Sequence, residues 1–297
     1  MESRDYTEIK VEIKEKNIYV ISLNRTNTAN AVSRKMNREL EHAFRQAELN
    51  DDVKVVILRG EGKHFSSGHD LGSDIQMADT DFPQQIDPRP RGDYTKWYEN
   101  DVEACLRWRH LRKVVLCGLK GYCIYHGTVV SACADIVLGT PDLKYMPSLV
   151  ENNIFPWAAN LNMQQVKEIL FTQRFVLANE ALKLGIISRI VPKASLDDEL
   201  IRLAKVIARG DSYHLWMMKK MSNAVYDSAG IDMHIRSGLD TWATFRRDSQ
   251  YVGNVKTKDH GGNSKRLAPV QSSLKGDKWK LSLTMSNETE ESYQSKL

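Results

Sequence analysis

The apolar positions of the first sixty residues change period several times, and each change predicts an element. Ile9 to Ile13 alternates apolar with charged residues, the two-residue period of a half-buried strand. Ile18 to Leu23 follows after a charged turn at Lys14 to Asn17, so the two segments are expected as a hairpin. From Ser33 the period lengthens. Met36, Leu40, Ala43, Phe44 and Ala47 fall on one face of a helix that Ser33 opens and that runs to about Leu49. Val53 to Leu58 is an apolar run of strand length ended by Gly60 and Gly62, which predicts a strand buried on both faces.

The pattern then breaks. Met77 to Asp93 holds Pro83, Pro88 and Pro90 and few apolar residues, so a long loop is expected, either an active-site lid or a surface insertion. A helix over Trp97 to Leu111, a strand over Val114 to Leu119, a turn at Gly121 to Tyr125, a helix over Thr128 to Cys133 and a strand over Ile136 to Leu138 come next. Helical spacing dominates afterwards, over Met163 to Thr172, Ala178 to Leu184, Leu196 to Arg209, Ser212 to Asp227 and Ile231 to Arg247. From His260 onward the chain turns polar and a disordered tail is expected. Alternating strands and helices followed by a helical end predict one α/β domain over residues 1–259, with residues 260–297 as a flexible tail.

Composition narrows the function classes. With 297 residues, 41% of them hydrophobic and 27% charged, the chain can bury a large core and is not of the disordered class. A net charge of +4 suits an anionic small ligand and is too small to argue for nucleic acid. No apolar run is long enough to span a membrane, and Met1 to Lys16 lacks the apolar stretch of a signal peptide. The four cysteines, Cys105, Cys117, Cys123 and Cys133, show no C-x-x-C spacing and are expected as buried thiols in a reducing compartment.

Four segments, in order, resemble the crotonase (enoyl-CoA hydratase/isomerase) superfamily. They are SLNRTNTANAVSRKM (Ser22 to Met36), with Thr26 where proline is usual; VKVVILRGEGKHFSSGHDL (Val53 to Leu71); GYCIYHGTVVSACADIVLGT (Gly121 to Thr140); and EILFTQRFVLANEALKLGIISRIVP (Glu168 to Pro192). Matches extend from about Ile9 to Lys258. The resemblance implies the crotonase fold, a spiral of β-β-α units with a C-terminal helical region, and assembly as a homotrimer or homohexamer. It implies an acyl-CoA substrate and no separate cofactor. It further implies an oxyanion hole of two backbone N–H groups that stabilises a thioester enolate. By position these donors fall at His69, after Gly68, and at His126, before Gly127. Substrate contacts are implied at Gly68, His69, Asp70, Leu71, Gly127 and Leu149, with Asp70 as a turn or helix cap beside the hole.

The departures bear on catalysis. The two glutamates of family hydratases fall on Val129 and Leu149, and the third position used by some isomerases falls on Trp157. None of these can transfer a proton. Glu151 and His126 are the candidate acid/base residues, while Tyr145 and Trp157 are expected to shape the acyl pocket. His69 is expected to contribute chiefly its N–H. Ser295, Lys296 and Leu297 match the tripeptide read by a peroxisomal import receptor, so a peroxisomal location is expected, as in fungal family members that build unsaturated acyl side chains of toxins. The leading expectation is an isomerase or hydratase acting on an unsaturated acyl-CoA. The alternatives are a non-catalytic acyl-CoA-binding homologue and a crotonase-type acyl-CoA hydrolase.

Overall fold

A computed structural model describes residues 5–70, 72–80, 90–147, 163–172 and 174–245. Its centre is a six-stranded sheet in the order β1-β2-β3-β4-β6-β9. These strands are β1 (Ile9–Lys14), β2 (Ile18–Leu23), β3 (Val55–Gly60), β4 (Val114–Leu119), β6 (Ile136–Gly139) and β9 (Arg189–Ile190). β1 pairs with β2 antiparallel, in the expected hairpin, and every later pair in this sheet is parallel. A smaller sheet holds β5 (Tyr122–Ile124), β7 (Lys144–Met146) and β8 (Val176–Leu177).

The large sheet is buried on both faces, which explains the near-continuous apolar runs of β2, β3 and β4. Tyr19, Ile21, Val56 and Leu58 join Met36, Leu40 and Phe44 of the Arg34–Leu49 helix and Trp108 in the main core. Alternate residues of the same strands, Ile18, Val20, Val55 and Ile57, face the other way onto Leu196 and Leu200 of the Leu196–Ile207 helix. Ser33 caps the Arg34–Leu49 helix as expected, its hydroxyl accepting the Met36 N–H at 3.0 Å.

Three sequence expectations are corrected. The segment expected as a loop from Met77 ends early, because a helix begins at Pro90; proline suits a first helical turn, where the missing N–H costs nothing. Residues 81–89 of that segment lie outside the described residues. The helix expected over Trp97 to Leu111 is interrupted by a π-helical turn, Tyr98–Glu103, before resuming as Ala104–Arg109. The turn expected at Gly121 to Tyr125 contains β5, and the following helix starts at His126 rather than Thr128. Strands of two or three residues are too short to show a period. The C-terminal helices are Ser212–Ser228 and Ile231–Phe245, and residues 260–297 lie outside the described residues. No helix among the described residues is long and apolar enough to cross a membrane.

Candidate active site

Two turns from separate parts of the chain meet beside the small sheet. The first is stitched to the N-terminal segment by Asn30, whose side-chain amide donates to the carbonyls of Glu61 and His64, both at 3.0 Å. Gly68 adopts φ +97, a conformation that favours glycine. Beyond it, His69 forms a parallel bridge with Val32: the Val32 N–H donates to Gly68 and the Asp70 N–H donates to Val32, at 2.8 and 2.9 Å. Successive peptide groups of an extended chain point to opposite sides, so the N–H of His69 faces away from Val32.

The second turn ends β5. Tyr125 holds φ 49 and ψ −118, a strained backbone for a residue with a Cβ. It delivers His126 as the first residue of the His126–Ala132 helix, where the helix supplies no acceptor for the N–H. The turns touch closely. A Cβ added to Gly68 would lie 3.0 Å from the Ile124 carbonyl and 3.6 Å from the His126 nitrogen, and one added to Gly127 would meet the Ser66 side chain at 2.9 Å. Both glycines are therefore required by close approach.

The side chains of the two histidines come together as well. Their rings stack with centroids 4.1 Å apart and planes 14° from parallel, and Trp97 packs edge-on against His69 at 4.8 Å. Asp101, on the π turn, faces one nitrogen of each ring. Its Oδ1 is 2.8 Å from His126 Nδ1 and 3.2 Å from His69 Nε2. Burial alone would raise the Asp101 carboxyl, but the charges and hydrogen bonds of His69 and His126 hold it well below the usual carboxylate range. His126 Nε2 lies 3.4 Å from Oδ1 of Asn37 on the Arg34–Leu49 helix. The imidazole and carboxylate donors lie within 4.8 Å of one another, the footprint of a cation site. The same carboxylate oxygen is within hydrogen-bond distance of both ring nitrogens and can accept from either when it carries a hydrogen.

Asp70 plays a different part. Its carboxylate accepts from the Gly72 and Ser73 N–H groups and the Ser73 hydroxyl, at 3.0, 2.8 and 2.5 Å, and pairs with Arg25 at 2.8 Å. Burial pushes its pKa up, and these hydrogen bonds bring the net position below the ordinary value. These contacts make it a turn-forming residue.

Of the other candidates, Val129 is buried on the His126–Ala132 helix, and Tyr145 is buried in the main core on β7. Leu71, Leu149, Glu151, Trp157 and Ser295 to Leu297 lie outside the described residues. The residue that sequence reasoning missed is Asp101. A separate cavity of about 480 Å³ behind β4 and β6 is lined by Arg109, Asp135, Lys219 and Tyr226 among others, and none of the residues of the two turns lines it. Its charges pair with one another or with nearby groups, Lys219 with Asp135 at 2.9 Å and Arg109 with Asp227 at 2.7 Å.

Comparison with known proteins bears on this geometry. The sequence profile of the enoyl-CoA hydratase/isomerase family matches residues 13–238. EchA13 of Mycobacterium tuberculosis, whose name carries a provisional enoyl-CoA hydratase assignment, is 30% identical over 250 residues, 76% of this chain and 77% of that protein. The human mitochondrial Δ(3,5)-Δ(2,4)-dienoyl-CoA isomerase is 29% identical over 217 residues, 68% of this chain and 64% of that one. Among solved structures, a probable enoyl-CoA hydratase from Mycobacterium smegmatis superposes with a TM-score of 0.73 at 28% identity, covering 83% of this chain and 98% of that chain.

Proposed function

The chain belongs to the enoyl-CoA hydratase/isomerase family, and from that premise we propose that it isomerises an unsaturated acyl-CoA through an enolate held at the N–H groups of His69 and His126. The observation that supports this reading is the junction of the two turns, where Gly68, the residue before His69, packs against the backbone of Ile124 to His126. Two donors aimed at a developing oxyanion stabilise it far more than they stabilise the ground-state carbonyl.

Isomerisation fits the remaining residues better than hydration does. Moving a double bond needs one group that removes a proton and returns it elsewhere. Adding water needs one group to deprotonate water and another to protonate carbon. Val129, at 3% exposure, offers an apolar side chain where family hydratases carry a glutamate. Ionisable groups are supplied instead by the histidines, with Glu151 as a further candidate from the sequence.

The test is direct. A 3-enoyl-CoA incubated with the purified protein should yield its 2-enoyl isomer, while hydration of crotonyl-CoA should be slower than that of an ordinary hydratase by more than about 10²–10⁴-fold, the worth of one general acid/base, because both glutamate positions are lost. Tight acyl-CoA binding without product would favour a binding protein, and release of free CoA would favour a hydrolase. The import expectation raised by Ser295, Lys296 and Leu297 is tested separately, with a fluorescent fusion that keeps or lacks them. Peroxisomal signal that survives their removal sinks it.

A further inference from the structure

Resting on that enolate reading, we propose that Arg236 is a positioning residue for the reaction. From the Ile231–Phe245 helix it locks the turn Tyr98–Glu103 in its π register and so keeps Asp101 against the rings of His69 and His126. The lock is defined by the two residues it joins. Arg236 Nη1 donates to the Tyr98 hydroxyl at 3.0 Å and to the Glu103 carboxylate, and Nη2 reaches the other oxygen of that carboxylate at 3.5 Å. Tyr98 and Glu103 are the first and last residues of the π turn.

Residues five apart are not neighbours on an α-helix. Each residue advances about 100° around the axis, so positions i and i+5 stand about 140° apart, and side chains meet at i+3 and i+4 instead. In a π turn the backbone closes on the fifth residue, which brings i and i+5 toward one face. The Ala104 N–H donates to the Glu99 carbonyl, five residues back, so the wider closure is present here. One guanidinium bound to the side chains of both Tyr98 and Glu103 therefore favours the π register over the α register.

That register decides where Asp101 sits. A turn that reverted to α geometry would rotate the residues on one side of it by about 100° against those on the other. Trp97 packs edge-on against the His69 ring before the turn, and Trp108 is buried in the main core after it. Trp97, Asp101 and Trp108 could then not all keep their present contacts. Arg236 is itself presented from a fixed base, because Ile231, Ile235 and Leu239 of the same helix are buried in the main core. Four residues along, Asp240 accepts from the Tyr94 hydroxyl at 3.0 Å, so the helix is fastened to the stretch before the turn as well. The Arg236 side chain retains 41% exposure, and an ion pair this open adds little to global stability. Its effect falls on the turn.

The experiment reads the rings and the reaction separately, on the purified protein. Nitrogen-15 labelling of the histidine rings gives imidazole NMR signals, assigned to His69 and His126 by their loss in His69→Gln and His126→Gln. Arg236→Met should move the signals of the two rings in the direction that Asp101→Asn moves them. Glu103→Gln, which weakens the other end of the bridge, should do the same to a smaller extent. With a 3-enoyl-CoA as substrate, Arg236→Met should lower kcat by up to about 10²-fold with KM little changed, the cost of a small displacement set off away from the chemistry. Arg236→Met combined with Asp101→Asn should be no slower than Asp101→Asn alone, because residues acting through one another do not add. Should Asp101→Asn fail to fold, Asp101→Glu takes its place in both comparisons. Ring signals that stay at their wild-type positions in both Arg236→Met and Glu103→Gln overturn the lock. A wild-type kcat in Arg236→Met overturns the positioning role, and losses that multiply in the double variant overturn the route through Asp101. Wild-type protein that turns over no 3-enoyl-CoA overturns the enolate reading alone, since the ring signals test the lock without substrate.

Discussion

Asp70 follows His69 in the chain and Asp101 faces its ring, and both are carboxylates held below their ordinary pKa, yet their partners differ. Asp70 is closed off by two backbone N–H groups, the Ser73 hydroxyl and Arg25, while Arg25 also lies 3.4 Å from Glu8 and donates to the Ala31 carbonyl at 2.6 Å. Arginine does not lose its charge, so this joint has one state. Asp101 is answered by two imidazoles, at 3.2 Å from His69 and 2.8 Å from His126, and by no arginine or lysine in those two contacts. The carboxylate is the same in both places. Its partners differ: a fixed cation and backbone N–H groups in one place, two imidazoles in the other.

This contrast can be broken experimentally, and the largest effect is expected where the two regions join. Gly68→Val places a branched side chain at φ +97 with its Cβ 3.0 Å from the Ile124 carbonyl, so acyl-CoA turnover should be lost altogether. Activity that survives in a folded variant would put the site elsewhere. Arg25→Met should come next. It leaves Glu8 and Asp70 buried without their cation, at a cost of about 3–5 kcal/mol in denaturant unfolding. Asp101→Asn should cost less, about 1–3 kcal/mol by the same measurement, because the amide oxygen of asparagine can still accept from a ring N–H. If Asp101→Asn proves the more destabilising of the two, the contrast drawn between the two carboxylates is wrong.

The smallest effect is on the acid limb. Asp70 is held lower in the fold than in the unfolded chain, so its stabilisation is fully present above the unfolded value of about 3.9 and is lost as pH falls through the folded value. Asp70→Asn should therefore flatten the loss of stability below about pH 4 in an acid titration followed by circular dichroism. An unchanged slope would show that Asp70 is not ionically coupled to the fold.

Much of the frame was legible in the sequence because it follows from periodicity and from glycine. The Arg34–Leu49 helix shows in the spacing of Met36, Leu40, Ala43, Phe44 and Ala47, and the parallel strands show as apolar runs covered on both faces. Gly68 and Gly127 mark the two turns because a Cβ at either would collide. The histidine–aspartate cluster was not legible. Its members are far apart in the chain, and the π turn that admits Asp101 carries no proline or glycine to announce it. One signal was present. Trp97, Asp101 and Cys105 recur at intervals of four, which puts a carboxylate on the inward stripe of a helix, where charged residues are seldom found without partners.

The placement of His69 and His126 has a consequence for how such a site can change over time. At each position the peptide N–H and the ring are separate instruments mounted on one residue. The N–H is aimed by Gly68, by the bridge to Val32 and by the Tyr125 turn, none of which depends on what side chain position 69 or 126 bears. A substitution at either position would change the ring while leaving the backbone that carries the proposed oxyanion donors as it is.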